Sequence, residues 1–526
     1  MKEISPQPAC GEGQGWGDPL RKPGQGTAPV FFGGTLRSNP LRPKMTQDIA
    51  PRTRRMAAIY QGHGVTIGER RLGQILKASF LDYWTVVNPT KITGSQKTEL
   101  CDALVVCGDY LLVFQHKQIG LTLGAEPVTG WGKWARKSFG DATKQLIGAR
   151  KVLENPQPQL FLDPKCDHPL HLKIPKWNPK RCFLIAAVGD SAEAANAWFG
   201  NQETTFCVCS STGKTDQPLL EQFDDVAFLP QGDHGGNFVH VFEDRSLALL
   251  LQELDTIGDF CNYLEKRQEF FKRQKGLVAT SEAELLWLYS RGMGPDGNHD
   301  FILPKEYLEY DQLLLDDGSW DDFCETKEWK AKKTADATSY LWDSLIRRFT
   351  KNKLAGTGTH WGPEGEVQHE GGIRYLALET RFIRRYLSNR LLEAFEKCPK
   401  GGMHKSLIPA TAAHIGSGAT YVILQLSVPR GCEYDRYRRA RRQLLLEHIW
   451  AAKVRWPSAE TIVGIAFEPP KHFNNELSSE DMLLVEAEYW TTENLSIAAE
   501  SACETKFFSH AQGVEVMEKE FPVQSK

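Results

Sequence analysis

The sequence predicts a mixed α/β protein with two folded domains and a disordered N-terminal tail. Three observations support this class. From about residue 56 onward, apolar segments of strand length alternate with amphipathic segments of helix length. The chain has 526 residues, which is too long for one compact core. Its hydrophobic content of 41% and charged content of 25% are ordinary for a soluble globular protein.

Residues 1–55 differ in composition from the rest of the chain. The segment MKEISPQPACGEGQGWGDPL is rich in Gly, Pro and Gln, and its apolar residues have no periodicity. Such a segment cannot bury enough apolar surface to offset the entropy lost on ordering, so we expect a disordered tail. The predicted folded domains are then residues 56–240 and residues 241–526.

The first domain is predicted to place three strands between two helices and to end on a fourth strand. The opening helix has Leu72, Leu76 and Phe80 at helical spacing. Gly108-Asp109 between two apolar runs is a two-residue hairpin signal. By residue number, the elements are a helix from 68, a strand at 85–89, a hairpin at 100–117, a helix at 138–154 and a strand at 182–189.

The second domain is predicted to be a more helical α/β domain. Ser246 begins one long helix or two abutting helices. Near the C-terminus, strands at 421–428 and 461–467 flank a helix at 435–454. We expect this domain to act as an accessory module that selects a substrate or binds a partner.

Three polar residues interrupt the apolar hairpin of the first domain. If Gly108-Asp109 is the turn, Asp102 lies directly opposite Gln115. Side chains alternate between the faces of a strand, so Lys117 shares the face of Gln115. Two further polar residues, Glu69 on the buried edge of the first helix and Gln145 on the apolar stripe of the later helix, are predicted to point toward the same cluster.

This combination of residue types indicates phosphodiester hydrolysis. Two carboxylates buried close together are destabilising unless a cation compensates them. Mg²⁺ binds carboxylate and amide oxygens, and Mn²⁺ accepts the same ligands. The ammonium group of Lys117 could orient a metal-bound water and offset the charge that develops on a phosphate.

Glu69, Asp102 and Gln115-His116-Lys117 together resemble the motif of the PD-(D/E)XK nuclease superfamily. The pattern is most similar to the branch with a Q-x-K second half-motif, as in Mrr-type restriction enzymes, and NERD domains share the layout. The resemblance covers about residues 60–190 and implies a restriction endonuclease-like core, a mixed sheet flanked by helices. The proline usual before the motif aspartate is replaced by Cys101.

The resemblance also implies roles for individual residues. Glu69, Asp102 and Gln115 would bind Mg²⁺ or Mn²⁺. Lys117 would be the catalytic lysine, and Gln145 would be the helix glutamine that supports the site.

Basic residues beside two tryptophans lead into the helix that flanks the site. Three cations next to Trp131 and Trp134 are candidate contacts to nucleic acid, with DNA as the expected ligand. They are Lys133, Arg136 and Lys137. The alternative is a solvated face above core tryptophans. The net charge of −3 provides no global attraction to nucleic acid, so any contact must be local.

Two alternatives to an active nuclease remain open. Asp102 and Lys117 could simply face water on a half-exposed hairpin. The fold could also be catalytically inactive and serve as a nucleic-acid-binding or scaffolding module. Whether the chain forms a homodimer is open as well.

Other segments carry weaker signals. SSTGKT at 210–215 lacks the first glycine of a phosphate loop, because Val208 stands in its place, and it is predicted to be a surface turn. Four residues of the types that bind zinc have a spacing that matches no standard zinc site. This set is Cys166, His168, His171 and Cys182.

Five arginines between Arg436 and Arg442 either contact phosphates or form an ion-paired interface.

The cysteines and the absence of targeting segments bear on the cellular compartment. Twelve cysteines without a regular framework indicate reduced thiols. No apolar stretch approaches about 18 residues, and the N-terminus lacks the apolar region of a signal peptide. We therefore expect a cytoplasmic protein with no membrane partner.

Overall fold

The structure is a computed structural model. It describes residues 58–122, 127–155, 158–191, 206–210, 228–274, 276–295, 297–307, 312–356, 365–397, 403–408, 417–429, 431–469, 480–509 and 518–522. The predicted disordered tail, residues 1–55, lies outside the described residues. Within the described ranges, no helix is both long enough and apolar enough to cross a membrane.

The described α-helices follow the chain in this order. They are α1 Ile67–Phe80, α2 Pro127–Ala135, α3 Asp141–Leu153, α4 Asp244–Glu253, α5 Ile257–Arg273, α6 Glu282–Arg291, α7 Ser319–Glu325, α8 Lys327–Asp336, α9 Tyr340–Leu354, α10 Gly365–Leu378, α11 Arg381–Lys397, α12 Tyr434–Arg455 and α13 Thr492–Thr505. A short π-helical segment, Arg136–Gly140, joins α2 to α3.

The described strands are shorter than the helices. They are β1 Thr85–Val87, β2 Thr90–Thr93, β3 Gln96–Glu99, β4 Ala103–Cys107, β5 Tyr110–Gln118, β6 Leu160–Phe161, β7 Cys182–Gly189, β8 Cys207–Ser210, β9 Phe228–Asp233, β10 Phe238–Glu243, β11 Gly276–Ala279, β12 Gln312–Leu315, β13 Met403–Ile408, β14 Thr420–Leu426, β15 Ile462–Phe467 and β16 Asp481–Val485.

A nine-stranded mixed sheet has the order β1-β4-β5-β7-β10-β9-β8-β11-β12. Its first three strands are antiparallel neighbours, whereas β5, β7 and β10 run parallel. Both faces of β5 are covered. Phe114 packs in the same core as Phe80 of α1, and Val113 packs on the opposite face with Leu146 of α3. Burial on both faces explains the nearly continuous apolar runs, and the predicted α/β class with a mixed sheet flanked by helices is confirmed.

A separate four-stranded sheet, β13-β14-β15-β16, lies near the C-terminus. The parallel strands β14 and β15 are joined through α12, which packs on one face of the sheet with α13. The predicted pair of strands flanking a helix is confirmed. The nine-stranded sheet includes β11 and β12, which follow residue 240, so it contains strands from both sides of the predicted domain boundary. That boundary stays a prediction.

The region predicted as one or two helices from Ser246 forms two. The first, α4, ends at Glu253, and α5 begins at Ile257. Thr256 caps α5, because its hydroxyl accepts a hydrogen bond from the backbone N–H of Asp259 at 3.0 Å. A threonine in extended conformation at this position favours the start of a new helix over continuation of the old one.

Candidate active site

The hairpin of β4 and β5 has the predicted register. Cys107 pairs with Tyr110 across Gly108-Asp109, and Ala103 pairs with Phe114. Gly108 has a φ of +61°, a conformation that glycine adopts without steric cost. The two-residue turn therefore sets which side chains share a face.

Beyond the last pair of this ladder, Asp102 lies opposite Gln115. The backbone N–H of Asp102 donates to the carbonyl of Phe114 at 3.1 Å, which continues the pairing by one residue. Lys117 lies two residues beyond Gln115 on β5 and shares its face. The structure thus brings together the carboxylate, the amide and the ammonium group that the sequence placed in one cluster.

Asp102 is buried, with 5% of its surface exposed. Its Oδ2 accepts a hydrogen bond from the backbone N–H of His116 at 2.6 Å. Burial raises the pKa of Asp102, although the hydrogen bonds from His116 and Glu99 and the positive charge of Lys117 act in the opposite direction. The site therefore holds this carboxylate in an environment where an added cation would be strongly stabilising.

Gln115 and Lys117 are available to a ligand. Gln115 is 7% exposed, and Lys117 is half-buried. Within the described part of the chain, neither side chain has a hydrogen-bond or ion-pair partner. The amide atoms of Gln115 are not among the fully buried atoms, so they stay open to water and therefore to a ligand.

Glu69 has a different environment from the one expected. It stands at the third position of α1 and forms a capping box with Thr66. Its Oε2 also accepts hydrogen bonds from the backbone N–H of Val65 at 2.8 Å and from Nδ2 of Asn88 at 2.9 Å. Partial burial alone would raise the pKa of Glu69, but the bonds from Val65, Asn88 and Thr66 outweigh it and lower the pKa.

The sequence carried a signal for this local structure. Thr66-Ile67-Gly68-Glu69 before an apolar helix is the pattern of a capping box. The cap also explains why α1 begins at Ile67. A role of Glu69 as a metal ligand stays a prediction.

Gln145 is exposed, so the prediction that it points into the interior is wrong. The buried stripe of α3 is formed by Ala142, Leu146, Ala149 and Leu153. Gln145 lies one residue before Leu146 and is therefore turned about 100° away from it around the helix axis. This rotation places the glutamine at the flank of the stripe, beside solvent.

The basic residues proposed for nucleic acid are on the surface. Lys133, Arg136 and Lys137 are all exposed. Trp131 and Trp134 are buried, and the indole N–H of Trp134 donates to the carbonyl of Ile119 at 2.7 Å. The tryptophans are thus core residues, and the three cations above them face solvent.

Sequence reasoning missed two residues of the cluster, Asn88 and Glu99. Asn88 follows β1 with a φ of +50°, and its buried Oδ1 has no hydrogen-bond partner. Glu99, an exposed residue at the end of β3, lies three residues before Asp102. Partial burial of its carboxyl group and the neighbouring Asp102 raise the pKa of Glu99 to about 7. Its position beside Asp102 in the sequence was the available signal.

His116 lies on the opposite face of β5 from Gln115. Its Nε2 lies 3.0 Å from Oδ1 of Asp244, the first residue of α4. Two glycines allow this contact, because a Cβ at Gly68 would collide with the His116 ring and a Cβ at Gly189 would collide with the Asp244 carboxylate. The pair fixes the end of β5 just behind Asp102.

We expect the His116–Asp244 pair to stabilise the fold mainly at acidic pH. Burial would lower the pKa of His116, but the hydrogen bond and charge of Asp244 outweigh burial and raise it. A raised folded-state pKa contributes stability that is complete below the unfolded value of about 6.5 and is lost as pH rises through the folded value. The thermal midpoint of His116→Gln should therefore fall further below that of the wild type at about pH 5.5 than at about pH 9.

The matched control for this prediction is His63→Gln, because His63 is exposed. We expect its midpoint to follow the wild type at every pH. An equal deficit of His116→Gln at both pH values would contradict a contribution from protonated His116.

The donor set fits a hard divalent cation only in part. Among the described residues, no group of three or more His, Cys, Asp and Glu side chains is arranged to hold a metal ion. Asp102, Glu99 and the amide oxygen of Gln115 together offer oxygen ligands of the kind that Mg²⁺ uses. Mg²⁺ commonly takes one or two carboxylates and completes its shell with water and substrate phosphate, so a full protein cage is not required.

The weaker sequence signals find structural roles in the described residues. His171 lies 2.9 Å from the carbonyl of Tyr83, and Cys182 is buried at the start of β7, so the zinc-type residues do not converge. Arg438 and Arg441 form ion pairs with buried Asp481 at 2.6 and 2.7 Å, as an ion-paired interface predicts. Residues 211–215 of the SSTGKT segment lie outside the described residues.

No protein-family model matches the chain, and the comparisons with curated proteins and with solved structures found no match either.

Proposed function

We propose that the chain is a metal-dependent nuclease that hydrolyses phosphodiester bonds of nucleic acid, with DNA as the expected substrate. The observation that carries the proposal is the shared face of Asp102, Gln115 and Lys117, where β4 begins and β5 extends past it. We also propose a cytoplasmic location, and whether the chain forms a homodimer stays open.

The order of elements supports a restriction endonuclease-like core. α1, β1, β4, β5, α3 and β7 follow the α-β-β-β-α-β order that the resemblance implies. The four strands of this set are consecutive neighbours in the sheet, and their last pair is parallel. In this comparison β2, β3 and β6 form an inserted three-stranded sheet.

The side chains have distinct tasks in the proposed reaction. Asp102 and Gln115 would hold Mg²⁺ or Mn²⁺, which when bound supplies charge stabilisation and an activated water. Lys117 carries a positive charge close enough to lower the pKa of Asp102 and has no ion-pair partner among the described residues. It can therefore orient a water or stabilise charge on a phosphate oxygen.

The exposed cations on the approach to α3 support a nucleic-acid substrate. Lys133, Arg136 and Lys137 lie within five consecutive residues and face solvent. Contacts from such side chains to phosphates would add affinity that falls as salt concentration rises.

We expect Lys117→Ala to lower the rate of hydrolysis at least about 100-fold, the size typical of losing a positioned proton-transfer or charge-stabilising group. The measurement is nicking of supercoiled DNA and cleavage of a labelled RNA, each with Mg²⁺ or Mn²⁺ and with EDTA. Lys144→Ala is the control, because Lys144 is exposed on α3 and its ion-pair partner among the described residues is Asp141. Full activity in both Lys117→Ala and Asp102→Asn would contradict the proposal.

A second candidate function is binding of nucleic acid without hydrolysis, as a nucleic-acid-binding or scaffolding module. It is favoured by the occupied carboxylate of Glu69 and by the absence of a three-ligand metal group among the described side chains. Retarded migration of nucleic acid with no cleavage under any metal condition would identify this function.

A further inference from the structure

We propose that three helices and one loop form a binding site for an acidic peptide, and that the chain's own residues 518–522 occupy it. This segment reads Glu-Lys-Glu-Phe-Pro and forms neither helix nor strand. The surface that holds it, called the peptide site below, is formed by α7, α8, α11 and the loop after α6. Its side chains are His299, Phe323, Lys332, Asp336, Arg385 and Asn389. The inference is independent of the proposed nuclease function.

Glu520 of the segment binds two cationic side chains of the peptide site. Its Oε2 lies 2.9 Å from Nε2 of His299, and its Oε1 lies 3.5 Å from Nζ of Lys332. Nδ1 of His299 lies 3.2 Å from the carbonyl of Gly292, so both ring nitrogens face acceptors and only the charged imidazolium donates to both. Burial would lower the pKa of His299, but the charge and hydrogen bond of Glu520 outweigh burial and raise it. The site therefore presents positive charge to this carboxylate.

Arg385 of α11 binds the backbone of the segment. Its Nη2 donates to the carbonyl of Lys519 at 2.7 Å, and its Nη1 donates to the carbonyl of Glu520 at 3.1 Å. Nδ2 of Asn389 donates to Oε1 of Glu518 at 3.0 Å. The side chain between the two glutamates, that of Lys519, is exposed. The contacts thus select carboxylates at the first and third positions and place no requirement on the second.

Phe521 supplies the apolar contact of the segment. Its half-buried ring lies 6.2 Å from the ring of Phe323 and 6.5 Å from the ring of His299, which it meets at 90°. Tilted and edge-to-face arrangements at such separations are favourable for aromatic pairs. An acidic peptide with an aromatic residue directly after its second glutamate therefore fits the site.

The cations of the peptide site are held in place by contacts that do not involve the segment. Asp336 of α8 accepts from Arg385 at 2.9 Å and from Lys332 at 2.7 Å. Arg385 is 1% exposed, and outside the segment Asp336 is the one carboxylate among the described residues that pairs with either cation. Without an occupant, the site would carry an excess positive charge in a nearly buried position. An acidic peptide supplies the missing negative charge and binds a site that is already ordered.

The experiment uses the full chain with Glu520→Lys and a fluorescent synthetic peptide of residues 516–526. In this variant an ammonium group would face His299 and Lys332, so the chain's own segment leaves the site open. We expect saturable binding of the peptide to the variant, measured by fluorescence anisotropy. The peptide should bind the wild type at least about tenfold more weakly, because the tethered segment competes at an effective concentration on the order of millimolar.

Three controls test whether the peptide binds at the peptide site. Adding Lys332→Met to Glu520→Lys should weaken binding at least about tenfold, because a nearly buried carboxylate loses a cationic partner. Adding Lys330→Met, at an exposed position of the same helix, should change the affinity less than about twofold. A peptide that itself carries Glu520→Lys should not bind.

Thermal unfolding of Glu520→Lys shows whether the segment is a ligand or an integral part of the fold. A ligand can leave, so we expect a cooperative transition whose midpoint rises when the peptide is added. A variant that fails to fold, or one that folds and does not bind the peptide, would overturn the inference.

Two further results would also overturn it. Unchanged affinity after Lys332→Met would place the peptide elsewhere on the protein. A wild-type dimer that Glu520→Lys converts to a monomer would show that the segment is exchanged between two copies and does not occupy the site of its own chain. None of these results bears on the nuclease proposal.

Discussion

Arg267→Met is expected to lower the free energy of unfolding by about 3–5 kcal/mol. Arg267 of α5 is 0% exposed and its partner Glu282, the first residue of α6, is 1% exposed. The guanidinium group binds the carboxylate through two parallel bonds, Nε to Oε1 and Nη2 to Oε2, both at 2.8 Å. Methionine would fill much of the volume but leave Glu282 as a buried carboxylate without a cation.

The surroundings of Arg267 leave no substitute for its charge. Nη1 donates to Oε1 of Gln231 at 3.0 Å, and the guanidinium carbon lies 4.7 Å from the ring centres of Phe242 and Phe271. His240 lies 3.1 Å away, and burial together with the charge of Arg267 lowers the pKa of His240. Burial, the larger of the two causes, persists when the arginine is removed and still disfavours a charged histidine that could compensate Glu282.

The measurement for Arg267→Met is the shift of the urea midpoint at a common slope. Lys330→Met is the control, because the Lys330–Glu325 pair is largely exposed and should contribute less than about 1 kcal/mol. The double variant Arg267→Met/Glu282→Leu should recover part of the loss, since an apolar pair of similar volume removes the unpaired charge. A single-variant loss below about 1 kcal/mol would contradict the prediction.

Asp343→Ala is the second substitution for which we expect a loss of about 3–5 kcal/mol. Asp343 of α9 is buried and pairs with two arginines of α11. Its Oδ2 accepts from Arg381 at 2.9 Å, and its Oδ1 accepts from Arg384 at 2.5 Å. Alanine would leave two buried guanidinium groups of α11 without the carboxylate of α9 that they share.

The remaining partners of these arginines are not sufficient. Arg381 also pairs with Asp255 at 2.8 Å, but Arg384 has only backbone carbonyls, those of Ala377 and Glu379, as its other partners among the described residues. Burial would raise the pKa of Asp343, but the charges of Arg384 and Arg381 outweigh burial and lower it. The stabilisation is thus present above about pH 4 and is lost as pH falls through the folded-state pKa.

Thermal and urea unfolding of Asp343→Ala, compared with Asp141→Ala, test this prediction. Asp141 pairs with Lys144 on the surface of α3 and should contribute less than about 0.5 kcal/mol. The deficit of Asp343→Ala should shrink when both proteins are measured near about pH 3. A deficit that is unchanged in acid would show that the lost contact is not electrostatic.

The candidate site shows which structural features local sequence patterns can predict. The turn at Gly108-Asp109 and the alternation of side chains predicted the pairing that the hairpin shows, because both depend on residues within a few positions of one another. The predicted burial of Gln145 was wrong, because this residue lies one position before Leu146 and about 100° around the helix from the buried stripe. The capping box of Glu69 was readable from Thr66 and was missed.

The sequence by itself determined the α/β class, the strands and helices around the hairpin, and the register that sets Asp102 opposite Gln115. Only the tertiary structure decided that Asn88 binds Glu69 and that His116 pairs with Asp244. The physical reason is the distance along the chain between the partners. Turns, caps and periodicity are governed by neighbours along the chain, whereas these contacts depend on how α1 and the distant α4 pack against the sheet.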